Sequence, residues 1–282
     1  FGGHVAESAL LQKLGVPAEE CWRWAFYLML PPGIVLALIC FFMKEPPRGM
    51  VDSAEVQRKP NLQDYLGILR TPSYVLNTVG MTAMAFAVGG VAYWMPNYVF
   101  EYRLQRKVPL EQVTFIFGLI VVLSGLFATL AGGWLGDKLR SRIRGSYFVV
   151  SGVGMLIGFV LFLMVLALEF PGAWIVTGLA IFCLFFNTGP TNTILCNVVH
   201  PSMRSTGFAL NIFVIHAFGD AFSPAIIGFV ADRSNFNVAF LVVSGMILLG
   251  GVCWLWGARY LERDTERALL LPTEPEKAPS AA

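Results

Sequence analysis

Residues 145–168 read GSYFVVSGVGMLIGFVLFLMVLAL, twenty-four residues in succession without Asp, Glu, Lys or Arg. A helix rises ~1.5 Å per residue, so this run reaches across the ~30 Å hydrocarbon core of a bilayer. It shows no alternation of polar and apolar positions, which a strand of a membrane barrel would need. The same pattern repeats outward in both directions: charge-free runs cover 24–43, 71–100, 112–136, 170–203 and 234–258. A further stretch, 205–231, is interrupted once, by Asp220. The expected fold is therefore all-α, a polytopic transmembrane helix bundle with seven spans.

Composition agrees. Of 282 residues, 56% are hydrophobic and 13% charged, with a mean hydropathy of +0.65. That excludes a disordered chain and an ordinary water-soluble domain. A formal charge of +2, with no basic stretch interleaved with aromatics, gives no footprint for nucleic acid. Cys21, Cys40, Cys183, Cys196 and Cys253 show no CxxC or CxxH spacing, so neither a metal site nor a disulfide framework is expected. No cofactor is expected either. HExxH, GxSxG and GxxxxGK[ST] are absent, and no span holds the lysine a retinal protein needs. Ala217-Phe218-Gly219-Asp220 and Trp134-Leu135-Gly136-Asp137 each lack the first glycine of an intramembrane aspartyl protease GxGD. The chain reads as a non-enzyme.

The organisation follows from the runs. Residues 1–21 read as the tail of a preceding helix and a connection, 22–43 as a first full span, and 44–70 as a long polar inter-lobe loop. Residues 71–258 read as a six-helix transmembrane lobe and 259–282 as a tail ending in a disordered Pro/Ala/Glu-rich segment. Lys and Arg concentrate on alternate connections, with Lys138, Arg140, Arg142 and Arg144 in one short turn and Arg259, Arg263 and Arg267 after the last span. The positive-inside rule then places the C-terminus in the cytoplasm, although Arg103, Arg106 and Lys107 on the opposite side weaken the contrast. The expected location is a multi-pass position in the plasma or inner membrane.

Within the spans, the sharpest chemical signal is Asp220, close to mid-span, where a carboxylate facing lipid costs about 2.5–3.5 kcal/mol. His216 lies four residues earlier and shares its helix face. Histidine exchanges protons near neutral pH, so the two form a candidate coupling or substrate pair; a purely structural hydrogen bond between helices is the open alternative. The preceding span carries Asn187, Thr188, Thr191 and Asn192 around Gly189-Pro190, an amide and hydroxyl band expected to line an aqueous cavity, with hydrogen bonding between helices as the alternative. Asn211 and Asn77 are expected to add to it. Pro31-Pro32, Gly189-Pro190 and Pro224 are expected to bend their helices by removing backbone donors.

The turn Gly133-Trp134-Leu135-Gly136-Asp137-Lys138-Leu139-Arg140-Ser141-Arg142 pairs an acid at a helix end with alternating bases. It is expected to form a latch, with the carboxylate at a neighbouring helix N-terminus and the guanidinium groups on carboxylate or lipid phosphate. This turn resembles the GxxxD[RK]xG[RK][RK] signature of the major facilitator superfamily, in the copy between the eighth and ninth helices, with Arg140 in place of the signature glycine. Gly228-Phe229-Val230-Ala231-Asp232-Arg233 echoes it in part.

Within that superfamily the chain is similar to the Spinster-like transporters. The resemblance is carried by Lys44-Glu45-Pro46-Pro47-Arg48-Gly49, by Thr71-Pro72-Ser73-Tyr74 running to Ala92-Tyr93-Trp94-Met95-Pro96, and by Pro201-Ser202-Met203-Arg204-Ser205-Thr206 running into His216–Gly228. It implies the C-terminal lobe of the fold, from the end of helix five through helix twelve, with a missing N-terminal lobe as partner. It further implies alternating-access transport of an amphipathic, lipid-like molecule such as a lysolipid, with membrane lipids around it and protons as a candidate driver. A sugar, an organic acid or a drug is the alternative cargo. A non-transporting receptor or scaffold, or a lipid scramblase, is the alternative of another class.

Overall fold

A computed structural model describes residues 13, 15–17, 20–44 and 62–269. Most of the helix tail and connection expected over 1–21, most of the 44–70 connection and the end of the tail lie outside the described residues. Every regular element among them is helical. In chain order they are α1 (Cys21–Phe42), α2 (Leu62–Leu69), α3 (Pro72–Tyr98), α4 (Leu110–Arg140), α5 (Ser146–Ala167), α6 (Ala173–Phe185), α7 (Thr188–Val198), α8 (Arg204–Ile215), α9 (Ser223–Arg233), α10 (Phe236–Gly257) and α11 (Leu261–Leu269). Wider π turns occur at Val99–Arg103 and His216–Asp220.

Six continuous segments are long and apolar enough to cross a membrane: Pro72–Arg103, Leu110–Arg140, Ser146–Ala167, Ala173–Val198, Pro201–Arg233 and Phe236–Gly257. They match the charge-free runs. The seventh run forms α1, whose described side chains are exposed from Arg23 to Phe42. An all-round apolar helix left open in this way is one that lipid or another protein covers.

The six spans form one bundle in which α10 packs most extensively, against α3 and α5, while α4 and α6 close the opposite side of α5. Trp254, Tyr98, Phe148, Phe240 and Met155 are fully buried at its centre. Lipid is as apolar as these side chains, so association rests on close fit rather than on escape from water. The contact between α4 and the α6–α7 break shows this fit. Pro190 has no N–H for the carbonyl of Phe186, and a methyl group on Gly132 of α4 would overlap that same oxygen. Gly132 thus lets a second backbone close over a carbonyl the proline has released.

The prolines do different things. Pro190 and Pro224 sit in the first turns of α7 and α9, where a missing N–H costs little. Each therefore starts a new helical segment within its span. Pro31 and Pro32, expected to bend their helix, lie inside an uninterrupted α1.

Two segments outside the expected spans are ordered helices. α2 occupies the end of the 44–70 connection, and α11 occupies the start of the tail. α11 docks by Asp264, 2% exposed, whose Oδ2 accepts from Ser73 N at 2.9 Å. A carboxylate there meets the positive end of the α3 dipole and one of its orphan N–H groups.

At the other end of the bundle, Arg103 reaches the last turn of α5. It donates to Leu166 O at 2.7 Å and to Leu168 O, and it lies 5.6 Å from the centre of the Phe170 ring. Arg106 is bound through two hydrogen bonds of 2.8 Å to Glu101. Two of the three bases that weaken the charge asymmetry are thus occupied locally, one as a helix cap and one in an ion pair.

Candidate functional site

Asp220 falls within the span Pro201–Arg233, thirteen residues or roughly 20 Å from its far end. Pro224 cannot donate to the carbonyl of Asp220, and the helix widens at this point: Ala221 N bonds back five residues to His216 O at 3.1 Å. The hydroxyl of Ser223 donates to the spare Asp220 carbonyl at 3.3 Å. Within this turn His216 Nδ1 lies 2.9 Å from Asp220 Oδ2. The structure therefore joins the two residues as the sequence reading expects, through a π turn rather than a regular α-helix.

Both side chains face outward from the bundle, 61% and 39% exposed respectively. Behind them the backbone is pressed onto α3. A methyl group on Gly89 would lie 2.7 Å from Asp220 Cβ, and one on Gly219 would lie 2.9 Å from Thr82 O. Trp94 Nε1 donates to Pro224 O at 2.9 Å, just beyond the turn. Asn211 Nδ2 donates to Thr78 Oγ1 at 2.9 Å, just before it. The pair is thereby fixed at its root and open at its tip.

The expected polar band divides into two groups. Asn77, Asn187, Thr191 and Asn211 are sealed between helices, each at most 1% exposed. Asn77 Nδ2 donates to Thr191 O at 3.1 Å, Thr191 Oγ1 to Asn187 O at 2.9 Å, and Asn187 Nδ2 to Leu184 O. These four do not line an open surface. The buried amides and hydroxyls turn inward onto backbone carbonyls, and Asn77 ties α7 to α3. Asn192 is exposed and donates to Thr188 O at 2.8 Å; Thr188 is half-buried. Of the residues expected in the site, His216, Asp220 and Asn192 are the ones left outward-facing.

The Gly133–Arg142 turn is held to the start of α5. Gly136 is buried, where a methyl group would meet the Tyr147 ring at 2.8 Å, and Gly133 faces Gly189 in close backbone approach. Asp137 Oδ1 accepts from the Tyr147 hydroxyl at 2.8 Å, and Gly136 O accepts from Ser146 Oγ at 3.0 Å. The carboxylate thus meets the first turn of α5, at its N-terminus, through the Tyr147 side chain. Lys138 lies over the Trp134 ring at 4.5 Å, while Arg140 and Arg142 are exposed. Among the described residues, no group of His, Cys, Asp and Glu is placed to hold a metal ion.

Sequence reasoning missed the residues that position these groups. Gly89, Ser223 and Trp94 carry no charge to mark them, and Asp264 reads as one acid in a charged tail.

The general description of the Major Facilitator Superfamily matches residues 2–219. The chain belongs to that superfamily. Among its relatives are Spinster proteins. It is 30% identical over 279 residues to protein spinster homolog 3 of Danio rerio, covering 89% of this chain and 56% of that one. Protein spinster homolog 1 of Homo sapiens is 30% identical over 299 residues, covering 95% of this chain and 56% of its own. The sphingosine-1-phosphate transporter SPNS2 of Xenopus tropicalis is 26% identical over 292 residues, covering 94% and 55%.

In three dimensions the superfamily member superposes on the crystal structure of a bacterial homolog of the human lysosomal transporter Spinster, inward-facing and unoccupied. The TM-score is 0.59 at 17% identity, over 97% of this chain and 66% of that one. That likeness concerns the fold. The chain spans little more than half the length of the curated relatives it matches. It is an integral, multi-pass membrane protein of the major facilitator superfamily, similar in sequence to Spinster proteins.

Proposed function

We propose that this chain works as the C-terminal lobe of a secondary transporter that moves an amphipathic, lipid-like small molecule by alternating access, with a second lobe as its partner. His216 and Asp220 act as the gate or coupling pair. The observation that carries this reading is their 2.9 Å contact on an open face at mid-span. A charge-bearing pair facing hydrocarbon is costly, so that face is one that water or protein covers. A half-open pair over a lobe-to-lobe cavity meets that condition. The pair also shares its span with exposed Phe213, Phe218 and Phe222, a polar spot among aromatics that suits an amphiphile better than a sugar. Among the comparisons, SPNS2 bears the name of a sphingosine-1-phosphate transporter.

The Gly133–Arg142 turn serves in this reading as the gating latch at the cytoplasmic end, with the C-terminus on the same side.

The test is flux of a lysophospholipid in liposomes holding the full-length protein, compared with Asp220→Asn and His216→Ala. Both variants are expected to fold and to lose most of the flux. Unchanged flux in both removes the pair from the mechanism. Competition by unlabelled lysophospholipid, but not by sugars or organic acids, supports the lipid-like cargo.

A further inference from the structure

A cavity of about 300 Å³ lies at the end of the bundle where α2 meets α3, away from His216 and Asp220. Arg70, Thr71, Asp264 and Arg267 supply its polar wall, with His200 beside them; Ile68, Val198, Val199 and Met203 supply an apolar one. Its position is that of a lipid headgroup: α3 begins here, α7 ends here, and α11 leaves the last span here.

The charges around the cavity do not cancel. Asp264 is matched twice, by the α3 N-terminus through Ser73 N at 2.9 Å and by Arg263, whose Nη2 lies 3.0 Å from Oδ1. Arg263 is not part of the cavity wall. Arg70 and Arg267 are exposed, and neither guanidinium has a hydrogen bond or ion pair to any described residue. The backbone at Arg70 is nevertheless fixed. Its N–H donates to Gly67 O at 3.0 Å, and Thr71 Oγ1 donates to the same oxygen at 3.2 Å. Arg267 comes from the last turn of α11, which buried Asp264 anchors. Two surplus guanidinium groups on anchored elements thus flank one cavity.

We propose that this cavity binds the phosphate of an anionic lipid from the adjacent leaflet through Arg70 and Arg267. Guanidinium forks match phosphate oxygens in geometry and charge, and the apolar wall accepts the start of the acyl chains. Bound there, the lipid ties α2, at the end of the inter-lobe connection, to α11 and the transmembrane lobe. This proposal is independent of the cargo and of His216 and Asp220.

The test measures the thermal midpoint and the lipid retained, by native mass spectrometry, of the full-length protein in mixed micelles titrated with dioleoylphosphatidylglycerol, dioleoylphosphatidylcholine or inorganic phosphate. Phosphatidylglycerol should raise the midpoint and stay bound, phosphatidylcholine should do neither, and Arg70→Gln/Arg267→Gln should weaken the phosphatidylglycerol effect about tenfold. Lys107→Gln/Arg259→Gln removes two charges away from the cavity and should leave the effect intact. An equal effect of inorganic phosphate, lost in the Arg70/Arg267 pair, supports the anion site but assigns it to a soluble phosphate rather than a lipid. Equal retention of phosphatidylglycerol in the wild type and the Arg70/Arg267 pair overturns the proposal, as does equal stabilisation by phosphatidylcholine.

Discussion

At the residue scale, the contact between His216 and Asp220 can be removed with little structural consequence. Both side chains are partly open, and exposed ion pairs contribute about 0–1 kcal/mol to stability. Asp220→Asn should therefore keep its thermal midpoint within a few degrees of wild type, as followed by intrinsic fluorescence. Gly89→Ala should behave in the opposite way. Its methyl group collides with Asp220 Cβ and Cα at 2.7 and 2.9 Å, so α3 and the π turn must separate. Overpacking of this kind costs about 1–3 kcal/mol and should lower the midpoint measurably while leaving both polar side chains in the chain. The sequence made Asp220 conspicuous because it stands alone in its span, and His216 because of its spacing. It could not show which asparagines face inward. Asn187 and Asn192 look equivalent in a list of polar residues, and only the α6–α7 break decides that one is sealed and the other open.

At the scale of elements, the spans were legible because each is a long apolar run, interrupted only by Asp220 in 205–231, and too long and too little alternating for a barrel strand, which leaves the backbone a helix. The connections were less so. α2 and α11 are too short to read as spans, and α11 is highly charged; each docks onto the bundle, through Ile68 in one and Asp264 in the other. Asp264→Ala removes the acceptor for Ser73 N and leaves Arg263 without its partner. Loss of a charge-assisted bond at a buried helix end should cost about 1.5–3 kcal/mol. Hydrogen exchange should then accelerate in α11 and in the first turn of α3, with the centre of α10 unchanged. Arg103→Ala should loosen the opposite end. The C-terminal turn of α5 loses its cap at Leu166 and Leu168, and protection should fall there alone.

At the scale of the whole molecule, the spans pack around α10, and His216, Asp220 and Asn192 are left open to the outside. The exposed length of α1 presents a second uncovered surface. A polar pair at mid-span is compatible with these open surfaces only if water or protein stands over it. Cysteine accessibility tests that requirement directly, because a thiol reacts with aqueous methanethiosulfonate reagents only where water lets it ionise. The measurement is labelling of His216→Cys by a charged, membrane-impermeant methanethiosulfonate in the full-length protein, with Cys21, Cys40, Cys183, Cys196 and Cys253 and any others replaced by serine or alanine. Ile175→Cys, on an exposed apolar position of α6, is the comparison. Rapid labelling at position 216, slowed by added lysophospholipid, with little at 175, is the predicted result. Labelling at position 216 as slow as at 175, with lysophospholipid present or absent, would contradict the account.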